Sequence, residues 1–520
     1  MSNKHVKRGL TPSGVSRGER ISWECQRAFY SCLRSPVLAV IPLQIAGMLF
    51  VSPKGAGQIY LDLLPLLILI TLASVFFVCL VQGNQKILLL TMILLTVGTM
   101  LQSLFKAEYI AKNPEKSSAG SLTLGLQLQY IAAMLLAVLT GILYWNLREC
   151  SSLKMAEFLT IVSLFLSVFT LIFAKSVGNV RNWIVIGGFS FQTTELIKLL
   201  YLFISAALLG TVERPKKGRL AWFYLISFIM MGFLVIQSEF GTLLLLLMVF
   251  MTYLFLFVPD LRVFGITAVS MGIFSTLLTF LGIRLERWAT AGSSLGTNPL
   301  ARKYIANFQK IANRVIYWMH PEKDPLGQGY QLIKARESIV LGGWFGTSSV
   351  TDLPVKTSDL VFPALIQRCG MIFALLVFLV FILLWLEGMK ACLRKKDKYH
   401  RMMAVGLVSM FINQTIIIIA GSTGLCPLTG ITLPFISSGG SSLVVSFMLM
   451  SLLLCISGNI SWKGQSSEEI EFFEKSTNCA KRVFAFGHRH VRGLVPDLRP
   501  GAGSLPDSRS AKSRSKAGGV

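Results

Sequence analysis

The chain has 520 residues, of which 53% are hydrophobic and only 14% charged, with a formal net charge of +25. Apolar residues gathered into such long runs exclude an ordinary soluble domain, because a bilayer core of about 30 Å takes roughly 20 apolar residues per helix. Nine cysteines without close paired spacing and five scattered histidines exclude a disulfide framework, a zinc site and a Ser/His/Asp triad.

In chain order, residues 1–36 form a basic tail with seven Lys/Arg against two Glu, and the first apolar run starts only at Val37, as in a signal anchor. Twelve spans are expected: Val37 to Val51, Asp62 to Gln82, Lys86 to Phe105, Leu122 to Leu147, Leu153 to Ala174, Thr193 to Val212, Arg219 to Gln237, Ser238 to Val258, Leu261 to Ile283, Leu360 to Leu386, Met402 to Ser422 and Ser441 to Ile460. Lipid requires each crossing segment to satisfy its own backbone hydrogen bonds, so helices are the default. The expected fold is all-α, a polytopic transmembrane bundle of about 10–12 spans with a large extracytoplasmic loop, 284–359, before the last three.

The short loops Arg148 to Lys154, Glu213 to Arg219 and Arg394 to Arg401 carry Lys/Arg, which puts them and both termini in the cytoplasm. Residues 461–520 hold eleven Lys/Arg against six Asp/Glu and end in a Ser-, Gly- and Lys/Arg-rich stretch expected to be disordered. Topology and attraction to anionic lipid account for much of the positive charge, so nucleic acid is not an expected partner. Within 284–359, "QLIKARESIVL" has the pattern of an amphipathic surface helix.

Ionisable residues inside spans are costly and mark function more often than charges elsewhere. Glu195 and Lys198 are three apart on one helix face, where they can also form a purely structural ion pair. Glu239 stands at a break between two apolar runs, where a helix-terminus carboxylate in interfacial water is the plainer reading. The stretch "GLCPLTGITLPFISSGGSSL", Gly424 to Leu443, has too many prolines and glycines for a continuous helix. Such backbone at membrane depth survives when covered by protein or lining a wet cavity. Its Ser437, Gly439, Gly440 and Ser441 offer hydroxyls and amides suited to an anion such as phosphate.

The same stretch resembles the signature of the SEDS family (shape, elongation, division and sporulation), the FtsW/RodA/SpoVE proteins of bacterial cell-wall synthesis. Four others follow in family order: "RNWIVIGGFSFQTTELIKL" from Arg181, "QSEFGT" from Gln237, "HPEKDPLGQGYQL" from His320, and "LPVKTSDLVF" from Leu353. They run from Arg181 to Ile460, inside a core taken as 175–460. Residues 37–174 carry spans outside the clear motifs. Details of two motifs are slightly closer to FtsW.

The resemblance implies a glycosyltransferase of the bacterial cytoplasmic (inner) membrane. It would polymerise lipid II, the undecaprenyl-pyrophosphate-linked disaccharide pentapeptide, into glycan strands at the outer face, serving cell division or shape. It also implies a class B penicillin-binding protein and other divisome or elongasome membrane proteins as partners. The family's catalytic aspartate falls on Asp359, as a base taking the proton of the attacking sugar hydroxyl. The pyrophosphate leaving group calls for cations, for which Arg181, Lys334, Arg336 and Lys356 are candidates, or for a divalent cation such as Mg or Mn; no organic cofactor is implied. The chain departs from the pattern at Val355 and Thr357, and carries Gln367 and Arg368 where two acidic residues are usual. A scaffold without activity and a lipid II flippase are the alternatives: the first would be indifferent to Asp359, and the second needs a polar path past Glu195, Lys198 and Glu239.

Overall fold

The computed structural model describes residues 28–50, 56–112, 119–146, 152–177, 180–186, 189–210, 217–258, 261–290, 313–327, 329–347 and 352–458. Most of the amino-terminal basic tail and all of 461–520 lie outside the described residues.

The chain forms α1 (Val40–Phe50), α2 (Ala56–Val81), α3 (Gln85–Lys112), α4 (Ala119–Asn146) and α5 (Leu153–Phe173). A three-stranded antiparallel sheet follows, β1 (Lys175–Val177), β2 (Val180–Ile186) and β3 (Phe189–Gln192), in the order β1-β2-β3. Then come α6 (Thr193–Gly210), α7 (Lys217–Ile236), α8 (Phe240–Phe257), α9 (Leu261–Thr290), a helical stretch at 313–319, α10 (Tyr330–Gly342), α11 (Val361–Leu393), α12 (Lys398–Thr423) and α13 (Gly440–Ser457).

Among the described residues, ten helices are long and apolar enough to cross a membrane: α2 to α8 and α11 to α13. The first expected span is corrected, since α1 has 11 residues and at 1.5 Å per residue reaches only about 17 Å. The ninth, placed at Leu261 to Ile283, lies within the 30-residue α9, which runs on to Thr290 and takes up the start of the expected loop. Among the described residues of that loop are also the 313–319 helix and α10. The sheet is a departure from an all-helical chain.

Burial sorts the helices. The apolar stretches of α6, α12 and α13 are 83% buried, against 28% in α4, α5 and α11. The first group forms the centre of the bundle, while the second turns side chains such as Leu135, Phe165 and Leu376 outward, as lipid-facing helices do. Hydroxyls inside spans bond back to the preceding turn: Thr91, Thr96 and Thr99 of α3 donate to the carbonyls of Ile87, Met92 and Leu95.

Two irregularities shape one end of the bundle. Within α11 the helix breaks at Gly370 (φ 87°, ψ 166°). There Met371 N–H donates to the Gly343 carbonyl at 2.9 Å and Ile372 N–H to that of Trp344 at 3.3 Å, so the turn that follows α10 takes over bonds the broken helix lacks. Between α12 and α13 the chain runs without regular structure from Gly424, which caps α12 in the left-handed region (φ 83°), to Gly439. Phe435 in this stretch has φ 64°, unusual for a bulky residue. Its buried ring stacks on Phe411 and meets Phe447 edge-on, which fixes the turn. Gly98 of α3 allows the close approach, because a Cβ there would lie 2.2 Å from the Phe435 carbonyl oxygen.

Candidate functional site

Asp359 ends the turn that leads into α11. Ser358 N–H and Leu360 N–H both donate to the Val355 carbonyl (3.1 and 3.2 Å), closing the turn on itself. Three outside groups hold its backbone. Ser438 N–H donates to the Thr357 carbonyl at 2.7 Å. Gln102 Nε2 of α3 donates to the same carbonyl at 3.1 Å and to that of Ile436 at 3.0 Å. Ser437 Oγ donates to the Ser358 carbonyl at 2.7 Å and accepts from Leu433 N–H at 2.9 Å. Each bond is worth about 1 kcal/mol net, and together they fix where the carboxylate emerges.

It emerges into a cavity of about 520 Å³, among whose lining residues are Trp183 and Gln192 of the sheet, Glu239 and Phe240 at the start of α8, Arg314 and Trp318 of the 313–319 helix, Gln331 of α10, and Gly430. Gly430 passes beside the carboxylate, where a Cβ would be in ordinary contact with Asp359 Oδ2 at 3.4 Å, and its φ of 72° is one that favours glycine. Arg314 stands among these groups, its guanidinium carbon 5.6 Å from the centre of the Phe240 ring and one nitrogen 3.4 Å from the Thr429 carbonyl. Trp318 Nε1 donates to the Gly424 carbonyl at 2.9 Å, fastening this helix to the end of α12.

The electrostatics are coupled. Burial pushes the Asp359 carboxyl above its usual range, against a hydrogen bond from Ser358 and the charge of Arg314. Burial, then the charge of Glu195, push Glu239 up to about 7, against Arg314, Lys198 and a hydrogen bond from Gln192. Burial also pushes Arg314 down from its usual value, while Glu239 and Asp359 push it back up. Arg314 is thus one cation acting on two carboxyl groups of the same wall. Glu239 itself accepts from Asn182 and from Gln192 Nε2, the latter at 3.2 Å.

The remaining residues singled out in the sequence fall elsewhere. Glu195 and Lys198 form a buried ion pair at 2.7 Å on α6. Lys334 pairs with Glu337 at 2.7 Å on α10, and Arg336 is exposed beside Gly424. Lys356 pairs with Glu108 of α3, which also meets Arg368. None of Lys334, Arg336 and Lys356 lines the cavity. Ser437, Gly439, Gly440 and Ser441, read in the sequence as suited to an anion, are not on the wall of this cavity. The Ser437 hydroxyl is engaged by backbone, Gly439 lies against Thr432, Gly440 against Gln129, and Ser441 is buried. Arg181 is in β2, but its side chain lies outside the described residues.

Sequence reasoning missed Arg314, Trp183, Trp318 and Glu108. A signal for Arg314 was present in "NRVIYW", since a cation with aromatics three and four residues on puts all three on one helix face. Among the described residues no group of three or more His, Cys, Asp or Glu side chains converges. The two carboxyl groups of the wall share Arg314, so this donor set does not fit a divalent cation held by protein alone.

Comparison with known proteins matches residues 85–461 to the FtsW/RodA/SpoVE family, described as cell cycle protein. The match begins ahead of the Arg181 motifs and takes in α3 to α5. Stage V sporulation protein E of Bacillus subtilis (strain 168) is 31% identical over 326 residues, covering 60% of this chain and 80% of that protein. A probable peptidoglycan glycosyltransferase FtsW of Pseudomonas fluorescens (strain SBW25) is 32% identical over 312 residues, 58% of this chain and 70% of the relative. The peptidoglycan glycosyltransferase RodA of Mycobacterium tuberculosis (strain ATCC 25618 / H37Rv) is 27% identical over 298 residues, and the match spans 53% of this chain and 57% of that protein's length. A chain from a peptidoglycan synthase complex shares the fold, with a TM-score of 0.57 and 20% identity over 72% of this chain and 97% of that one.

Proposed function

The chain belongs to the FtsW/RodA/SpoVE family of cell cycle proteins and is a polytopic membrane protein, and on that footing we propose that it is a peptidoglycan glycosyltransferase that polymerises lipid II. The observation that carries this reading is the cavity in which Asp359 faces Arg314 and Glu239 at one end of the bundle.

The chemistry follows from those groups. A sugar hydroxyl of one lipid II attacks the anomeric carbon of another; the new C–O bond forms as the bond to the pyrophosphate breaks. Asp359 accepts the hydroxyl proton, a role helped by a carboxyl whose burial raises its affinity for protons toward working pH. Negative charge develops on the departing pyrophosphate, and Arg314 supplies preorganised positive charge in a half-buried site where such charge counts for more than in water. Trp183 and Trp318 give flat apolar walls suited to sugar faces. The pyrophosphate charge is assigned to this guanidinium, and no step runs through a protein-held metal ion.

In this reading the cavity faces the outer side of the bacterial cytoplasmic membrane, and both termini are cytoplasmic. The partner is a class B penicillin-binding protein, with other divisome or elongasome membrane proteins around it. The flippase alternative loses ground because Glu195 and Lys198 are buried against each other and line no described passage. The test is polymerisation of labelled lipid II by the purified chain with its penicillin-binding partner, comparing wild type with Asp359→Asn. Glycan product from wild type alone supports the assignment; equal product from both ends it.

A further inference from the structure

Glu108, near the end of α3, meets two cations that flank the Asp359 turn. It pairs with Lys356, before Asp359, and with Arg368, after it. The three side chains are largely withdrawn from solvent, at 21%, 17% and 21% exposure in that order. The Lys356 ammonium also lies 5.5 Å from the centre of the Phe105 ring, one turn earlier on α3. The same helix holds the backbone of the turn through Gln102. One helix thus grips the turn at its peptide and at the charged residues on both sides.

A lysine three residues from a half-buried carboxylate in a closed turn is a ready partner for it. Here that lysine is engaged by Glu108, and the cation that acts on Asp359 is Arg314, from across the cavity. Two cations share the single Glu108 carboxylate, so its loss would leave both uncompensated, one of them Lys356 in the turn itself and the other Arg368 further along α11. Taking as its basis the reading of Asp359 as base, we propose that Glu108 is a positioning residue for glycosyl transfer, which together with Arg368 holds Lys356 in an ion-pair cluster so that the lysine does not pair with Asp359 and weaken it as a base. The other charged groups are Arg314 and, through it, Glu239 on the cavity side, and Lys106 with the exposed Lys112 and Asp352 pair on the α3 side.

The experiment is the pH dependence of kcat/KM for lipid II polymerisation by the full chain with its partner. Wild type is compared with Glu108→Gln, the double variant Lys356→Gln/Arg368→Gln, and the triple variant combining them. A cation released toward Asp359 favours its ionised form, so Glu108→Gln is expected to move the midpoint of the acid limb down by about one pH unit and to lower the plateau. The triple variant, with no charge left in the cluster, is expected to return the midpoint to that of wild type. An unmoved midpoint in Glu108→Gln, or a triple variant displaced as far as the single one, overturns the proposal. Should Glu108→Gln fail to accumulate in the membrane, the double variant decides: its bare Glu108 carboxylate is expected to move the midpoint upward, and no movement overturns the proposal. Asp359→Asn run alongside separates the two ideas. If it keeps full activity, the base assignment falls; if it is inactive while the midpoint ignores Glu108, only the positioning role falls.

Discussion

The turn at Asp359 and the Gly424 to Gly439 stretch are both irregular, both lie at one end of the bundle, and they touch; yet they use their side chains in opposite ways. The Asp359 turn spends its backbone on internal bonds and bonds to its neighbours, leaving its carboxyl to the cavity. The second stretch sets two of its hydroxyls on its neighbours: Ser437 on the turn, and Thr432 on Ser442 at the start of α13, at 2.6 Å. One presents chemistry and the other sets its coordinates. A serine- and glycine-rich run therefore need not bind an anion, because its polar groups are equally suited to satisfying buried backbone.

Four measurements bear on that division, beginning with the largest effect. Asp359→Asn is expected to lower lipid II polymerisation by about 10²–10⁴-fold while leaving thermal stability in detergent close to wild type. Arg314→Gln is expected to cost on the order of 10²-fold in kcat, as loss of a preorganised charge does. Ser437→Ala should instead act on stability, by roughly 1–2 kcal/mol in a detergent unfolding assay, with substrate affinity unchanged. A Ser437→Ala protein that stays stable but loses lipid II binding would erase the distinction between the two regions.

The smallest effect concerns Glu239, whose affinity for protons is raised in the folded protein, with a value of about 7 against 4.5. The folded state then binds more protons than the unfolded one between those values. The stabilisation is fully present below about 4.5 and is lost as pH rises through about 7. The thermal midpoint of wild type should fall across that window more steeply than that of Glu239→Gln. Parallel curves would mean the carboxyl is solvated like its unfolded counterpart.

Much of this was legible in the chain because lipid makes strong demands. Ten of the expected spans appear as helices long enough to cross, since an apolar run of that length has few other solutions. The pairing of Glu195 with Lys198 was legible for the same reason: two charges one turn apart in a buried helix leave each other as the nearest partner. Arg314 was hidden by distance, because only the folded loop carries it from 313–319 to a wall shared with Asp359 and Glu239. Glu108 was hidden by sign. Arg368 reads in sequence as a lost acid, whereas in space a carboxylate from α3 meets it. The β-hairpin strands at 180–192 were masked by the apolar residues they share with the neighbouring spans.

The break at Gly370 divides α11 into a shaft and a short head. The shaft, from Met371 to Leu393, is long enough to cross the bilayer, and its first two peptide N–H groups are bonded to the turn that follows α10, the helix that contributes Gln331 to the cavity. The head carries Asp359 at its entrance. The head is held by α3, through Gln102 on the turn before it and Glu108 on Arg368, whereas the shaft is bonded to the turn that follows α10. The two halves of one membrane helix therefore answer to different neighbours, and only the short one carries the chemistry at its start.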